Sequence, residues 1–123
     1  MVGAEGLHAV MDRRIALRST RSVLGQKYRF FYNPMWNLLG DRNHSPGSYY
    51  YDSGTYVNHY WNIFDQVLLR PDLLETFNPD TDIRLLKSVD GTQLTREHDG
   101  RPNVRISDHL PIVLNLESKE VLK

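Results

Sequence analysis

Residues 105–117, Arg-Ile-Ser-Asp-His-Leu-Pro-Ile-Val-Leu-Asn-Leu-Glu, put an acid, an imidazole and a proline at the mouth of an apolar run. Residues 111–116 read as a closing β-strand led by proline. Neighbouring side chains on an extended chain point to opposite sides, so Asp108 and His109 serve different neighbours. A second carboxylate out of place is Asp65, in the middle of residues 61–70, which read as a strand apolar on both faces and therefore buried in a sheet. A carboxylate inside such a strand is expensive unless paired. Two readings stay open. Asp65 accepts from His109 and fixes its tautomer, as in an acid–base dyad; or Ser107 and Asp108 simply cap the turn before the last strand.

The run Ser107-Asp108-His109-Leu110-Pro111 and the following strand resemble the terminal motif of the endonuclease/exonuclease/phosphatase superfamily. The upstream stretch Trp61-Asn62-Ile63-Phe64-Asp65-Gln66-Val67-Leu68-Leu69 is similar to that family's penultimate motif. The two stand in the family's order, and the resemblance covers roughly residues 28–117. It implies an α/β (α+β) fold: one half of a four-layer α/β sandwich, a mainly antiparallel sheet with helices on one face. At 123 residues the chain has about half a complete family domain, so residues 1–123 are expected to be a single partial domain matching the C-terminal half. The family's early glutamate motif and central histidine have no counterpart. Gly40-Asp41-Arg42-Asn43 spells the family's Gly-Asp-x-Asn, but the stretch before it is loop-like, with a proline and two Asn between residues 33 and 39. It is read as a coincidence of letters. Met1 would then stand shortly after the true motif, with residues 5–18 as the helix that follows it.

For the site, the resemblance implies that His109 contacts the scissile phosphate and that Asp65 holds the imidazole, these two being the catalytic pair. Asp108 would help bind a divalent ion, Mg²⁺ or Mn²⁺, since the donors are oxygens. Ser107 would support the site or cap the turn. Hydrolysis would proceed by in-line attack of an activated water on a phosphate ester, nucleic acid being one candidate substrate. One carboxylate beside one dyad makes a poor metal site, so the chain alone is expected to be inactive. The competing reading is a non-catalytic half-domain that serves binding or self-assembly. Either way a half-sandwich exposes an apolar sheet face, so a homo-oligomer, or pairing with the missing N-terminal half, is expected.

Outward from these motifs the chain is less eloquent. Residues 5–18 read as a helix, with Leu7, Met11 and Ile15 recurring every four residues. Residues 28–32 are an aromatic strand ended by Asn33-Pro34, and residues 33–48 a long loop. Residues 49–51 are a short strand or part of that loop. Pro71 ends the strand of residues 61–70, and residues 72–77 fit a short helix capped by Asp72. Residues 83–89 and 92–95 read as strands joined at Asp90-Gly91, and residues 96–106 as a polar loop.

Lys plus Arg and Asp plus Glu are 15 each, and there is no cysteine. The second fact excludes disulfide scaffolds, thiolate zinc sites and cysteine nucleophiles. Residues 1–42 hold seven bases against three acids. This excess is read as a solvated helix face rather than a phosphate-binding one. No apolar run is long enough to span a membrane, and a cytoplasmic protein is the default expectation. Trp36, Trp61, Asn33 and Asn58 are candidate cleft residues, and the tyrosines at 49, 50, 51, 56 and 60 pack or line the cleft. His8 is read as a helix-surface residue, and His44, His59 and His98 as solvated.

Overall fold

The computed structural model describes residues 6–117. It is a sheet-rich α+β arrangement of short strands in small sheets, with little helix. Strand β1 (His8–Val10) runs parallel to β3 (Gln26–Tyr32), which also pairs antiparallel with β2 (Thr20–Val23). Between β1 and β2 lies a single helical turn, α1 (Arg13–Ala16). Three antiparallel pairs follow: β4 (Tyr49–Tyr50) with β5 (Trp61–Asn62), β6 (Ile83–Leu85) with β9 (Ile112–Leu114), and β7 (Ser88–Val89) with β8 (Thr92–Gln93). Two 3-10 helices, Pro34–Leu38 and Pro71–Leu73, each start at a proline, whose fixed φ suits the first helical position.

The helix expected over residues 5–18 is not formed; its first residue lies outside those described. His8–Val10 instead pairs with Phe30–Tyr32. Asp12 then caps one turn, its carboxylate accepting from the backbone N–H groups of Arg14 at 2.8 Å and Ile15 at 3.2 Å. The chain leaves α1 through Ser19, at φ 68°. The four-residue spacing was accidental: Met11 is exposed, and pairing with β3 overrides the periodicity. His8 is accordingly a half-buried strand residue, its ring 4.3 Å from that of Tyr28. Arg13 is not part of a solvated face either. Its guanidinium donates to the carbonyls of Phe77, at 2.9 Å, and Leu74, which ties α1 to the end of the segment after Pro71.

The strand expected over residues 61–70 is mostly absent. Trp61–Asn62 pairs with β4, residues 63–68 cross without a ladder, and Leu69 exchanges both backbone hydrogen bonds with Tyr32 at 2.8 and 2.9 Å. Phe64 is exposed, so the run is not buried on both faces. Asp72 does not cap a helix: the cap position is Arg70, and Asp72 pairs on the surface with Arg29 at 3.2 Å. The strand of residues 83–89 is broken into β6 and β7. The hairpin at Asp90-Gly91 is formed, both residues having positive φ (47° and 77°), as a tight two-residue turn requires. Leu24-Gly25 makes the same turn between β2 and β3, with φ of 49° and 79°.

The core gathers Ala16, Tyr32, Met35, Leu38, Leu69, Leu74, Phe77, Ile83, Leu85 and Leu110. Leu110, next to His109, is 1% exposed, so the final motif is anchored by burial at its apolar residue. Gly47 supplies a second constraint. A Cβ there would lie 2.6 Å from the Asn62 carbonyl oxygen, which sets how closely the loop before β4 can lie on β5. Leu110→Ala should therefore cost about 2–5 kcal/mol of stability, and Gly47→Ala should also lower the urea midpoint by pushing β4 from β5. An unchanged midpoint in both would contradict this packing.

Candidate active site around Asp65 and His109

The site is assembled from three separate stretches that meet at residue 48. The Ser48 backbone N–H donates to the Asn62 carbonyl at 3.0 Å, and the Ser48 carbonyl accepts from the Leu110 N–H at 2.7 Å. Tyr49 forms an isolated bridge with His109. Ser48 is thus pinned between the segment carrying Asp65 and the segment carrying His109, and it is fully buried.

With the backbones fixed, the side chains converge. His109 Nδ1 lies 2.8 Å from Asp65 Oδ2, and the Ser48 hydroxyl donates to the same oxygen at 2.9 Å. The pair foreseen from the sequence is present, although Asp65 sits on irregular backbone, not in a buried strand. The two side chains are 39% and 41% exposed, so the dyad lies at the surface, open to a ligand. The Tyr49 ring packs 4.8 Å from the imidazole, and the Phe64 ring 5.0 Å from that of Tyr49. These contacts limit rotation of the His109 ring. An imidazole that gives Nδ1–H to a carboxylate keeps Nε2 available as the outward-facing nitrogen.

Partial burial would raise the Asp65 carboxyl. The hydrogen bonds from His109 and Ser48, with the positive charge of the imidazole, outweigh it and hold the group below the usual carboxylate range. Asp99 is also held low: desolvation opposes, but the Arg101 backbone N–H and the Arg96 guanidinium prevail.

The other predicted residues divide. Ser107 caps the turn, its hydroxyl accepting from the His109 backbone N–H at 3.0 Å. Asp108 is exposed. Among the described residues no group of three or more His, Asp or Glu is placed to hold a metal ion. The residues present therefore do not by themselves fit a divalent cation. Asn33, Trp36 and Trp61 do line one open cavity, with His59, Asn62, Ile63 and Gln66 among its other walls. Asn58 is not among them; its side chain donates to Asp52 and accepts from the Tyr60 N–H within its own loop. Asp41 lies on an exposed turn, and Arg42 and Asn43 line a different cavity beside Arg84 and Lys87. Ser48 and Gln66 were not singled out from the sequence, and Tyr49, named there only among the tyrosines that pack or line the cleft, proves to pack on the His109 ring. A serine in a polar loop carries no signal until the fold shows what it joins.

Comparison of the chain with protein-family models, curated proteins and solved structures returned no match. Among the described residues no helix is long and apolar enough to cross a membrane.

Because the folded Asp65 carboxyl is held below its unfolded value, it contributes stability that is fully present above the unfolded pKa. That contribution is lost as pH falls through the folded one. Between about pH 5 and pH 2, the melting temperature of the wild type should fall more steeply than that of Asp65→Asn. Parallel curves would contradict the assignment. Ser48→Ala should cost about 1 kcal/mol, the worth of one hydrogen bond, and should weaken the depression of the Asp65 pKa measured by carboxyl NMR.

Proposed function

We propose that this chain supplies the imidazole–carboxylate part of the active site of a divalent-metal-dependent phosphoesterase. In this reading it is the C-terminal half of an endonuclease/exonuclease/phosphatase domain, and its small sheets are one half of a four-layer sandwich. The observation that carries the proposal is the Asp65–His109 contact, made between two motifs 44 residues apart that were singled out on other grounds. A structural turn at residues 107–111 needs no such partner.

The chemistry follows from the geometry. The Asp65 carboxylate fixes Nδ1 as its donor, leaving Nε2, which carries an N–H when the ring is protonated, to face a phosphate oxygen. There His109 can hydrogen-bond developing negative charge or give a proton to a departing oxygen, a contribution of about 10²–10⁴-fold for a well-placed acid. Asp108, exposed beside it, would give one carboxylate toward Mg²⁺ or Mn²⁺. The remaining ligands would come from a complementary half, on the same polypeptide or on another chain. That need also favours association, either with such a half or with a second copy.

The test is hydrolysis of bis(4-nitrophenyl) phosphate with Mg²⁺ present, by the chain alone and with a complementary superfamily half supplied in trans. The chain alone should remain at the uncatalysed rate. The complemented protein should turn over, and His109→Ala should lower that turnover by about 10²-fold or more. Turnover unchanged in His109→Ala would overturn the proposal. Turnover by the chain alone, lost in the same variant, would overturn the division of the site between halves.

A further inference from the structure

The cavity lined by Asn33, Trp36 and Trp61 lies beside the dyad in sequence but does not contain it. Residues 63–66 separate the two. Ile63 and Gln66 line the cavity, whereas Phe64 and Asp65 lie on the side of Tyr49 and His109. The cavity measures about 550 Å³ and is open on one side. Its apolar wall includes Met35, Leu39 and both tryptophans of the chain. Trp61 is held by the Tyr50 ring, edge-on at 5.3 Å, and Trp36 is 47% exposed.

The polar part of the wall is built rather than incidental. Asn33 is 4% exposed, and its Oδ1 accepts from the Met35 N–H at 2.9 Å. Its Nδ2 donates to Gln66 Oε1 at 2.7 Å, and Gln66 Nε2 donates to the Ile63 carbonyl at 2.7 Å. Gln66 is thereby fixed at both ends of its amide. Oε1 has a second lone pair and Nε2 a second N–H beyond these bonds. A carboxamide on a cavity wall carries both a donor and an acceptor, the two functions that read the edge of a nucleobase. Aromatic walls add stacking that every base satisfies.

We propose that this cavity takes the base of a nucleotide. The ring lies against Trp36 and Trp61, and its edge pairs with the Gln66 amide that Asn33 orients. The base site depends on the cavity's own residues; only the identity of the whole ligand as a nucleotide, with its phosphate at His109, rests on the phosphoesterase reading. Residues 65 and 66 are successive, their Cα atoms about 3.8 Å apart, so the base site and the dyad are fixed to one another through a single peptide link.

Because both tryptophans line the cavity, intrinsic fluorescence reports on it directly. Adenosine, which has no phosphate, should quench the emission saturably and with the same midpoint in the wild type and in His109→Ala. Gln66→Ala should raise the midpoint about tenfold, the effect of losing one paired base edge. Trp36→Ala alters an exposed side chain and is expected to fold; followed by calorimetry, it should weaken binding about tenfold through lost stacking. Absence of saturable quenching would overturn the proposal, as would an adenosine affinity unchanged in Trp36→Ala. Dimethyl phosphate, titrated separately against the His109 resonances, tests the dyad without the cavity. If adenosine fails while dimethyl phosphate shifts His109, the base site falls and the phosphoesterase reading stands. If adenosine binds and dimethyl phosphate leaves His109 unmoved, the base site stands and the phosphoesterase reading falls.

Discussion

One carboxylate oxygen, Oδ2 of Asp65, takes hydrogen bonds from both His109 and Ser48, and the site depends on that double use. An exposed ion pair alone would be worth little, because water screens it and both side chains lose freedom to form it. Here the cost of ordering is met by the backbone. Ser48 is bonded through its N–H to β5 and through its carbonyl to the segment entering β9. The imidazole and the carboxylate are therefore brought together by main-chain hydrogen bonds and by burial of Leu110, and the dyad is a consequence of that framework rather than its cause.

The same framework accounts for the exposure of the pair. Leu110 turns into the core while His109, one residue earlier, remains half-open beside Tyr49. The alternation of an extended chain separates an anchoring residue from a presenting one. Residues 63–66 make a similar division without forming a strand, sending Ile63 and Gln66 to the cavity and Asp65 to the imidazole. Loss of a regular ladder there frees the chain to face the cavity and the imidazole at once.

The legible parts of the sequence were those where a residue type conflicts with its surroundings or where a turn has a specific chemical signature. Asp65 amid apolar residues and His109 before a proline-led strand pointed to each other across the chain, and Asp90-Gly91 announced its hairpin. Leu24-Gly25 makes the same turn with no such announcement, because leucine rarely adopts positive φ. The first helix was misread because four-residue spacing over residues 7–15 is too short to outweigh pairing with β3. The long strand failed because an apolar run does not say whether a neighbouring strand lies along its length; of residues 61–70 only Trp61, Asn62 and Leu69 are paired with one. Of the cleft residues, Asn33, Trp36 and Trp61 share a cavity, while Asn58 is taken up by its own loop. Ser48 was illegible because its role lies in backbone bonds to two distant segments.

The proposed chemistry requires that His109 commit Nδ1 to Asp65 and present Nε2–H to an anion. Histidine ¹⁵N NMR measures both properties in one experiment. Neutral His109 is predicted to carry its proton on Nδ1 and to lose that preference in Asp65→Ala; at a pH where the ring is protonated, its Nε2–H is predicted to shift when dimethyl phosphate is added. A proton on Nε2 of the neutral wild-type ring, with no response of the protonated ring to dimethyl phosphate, would contradict the account.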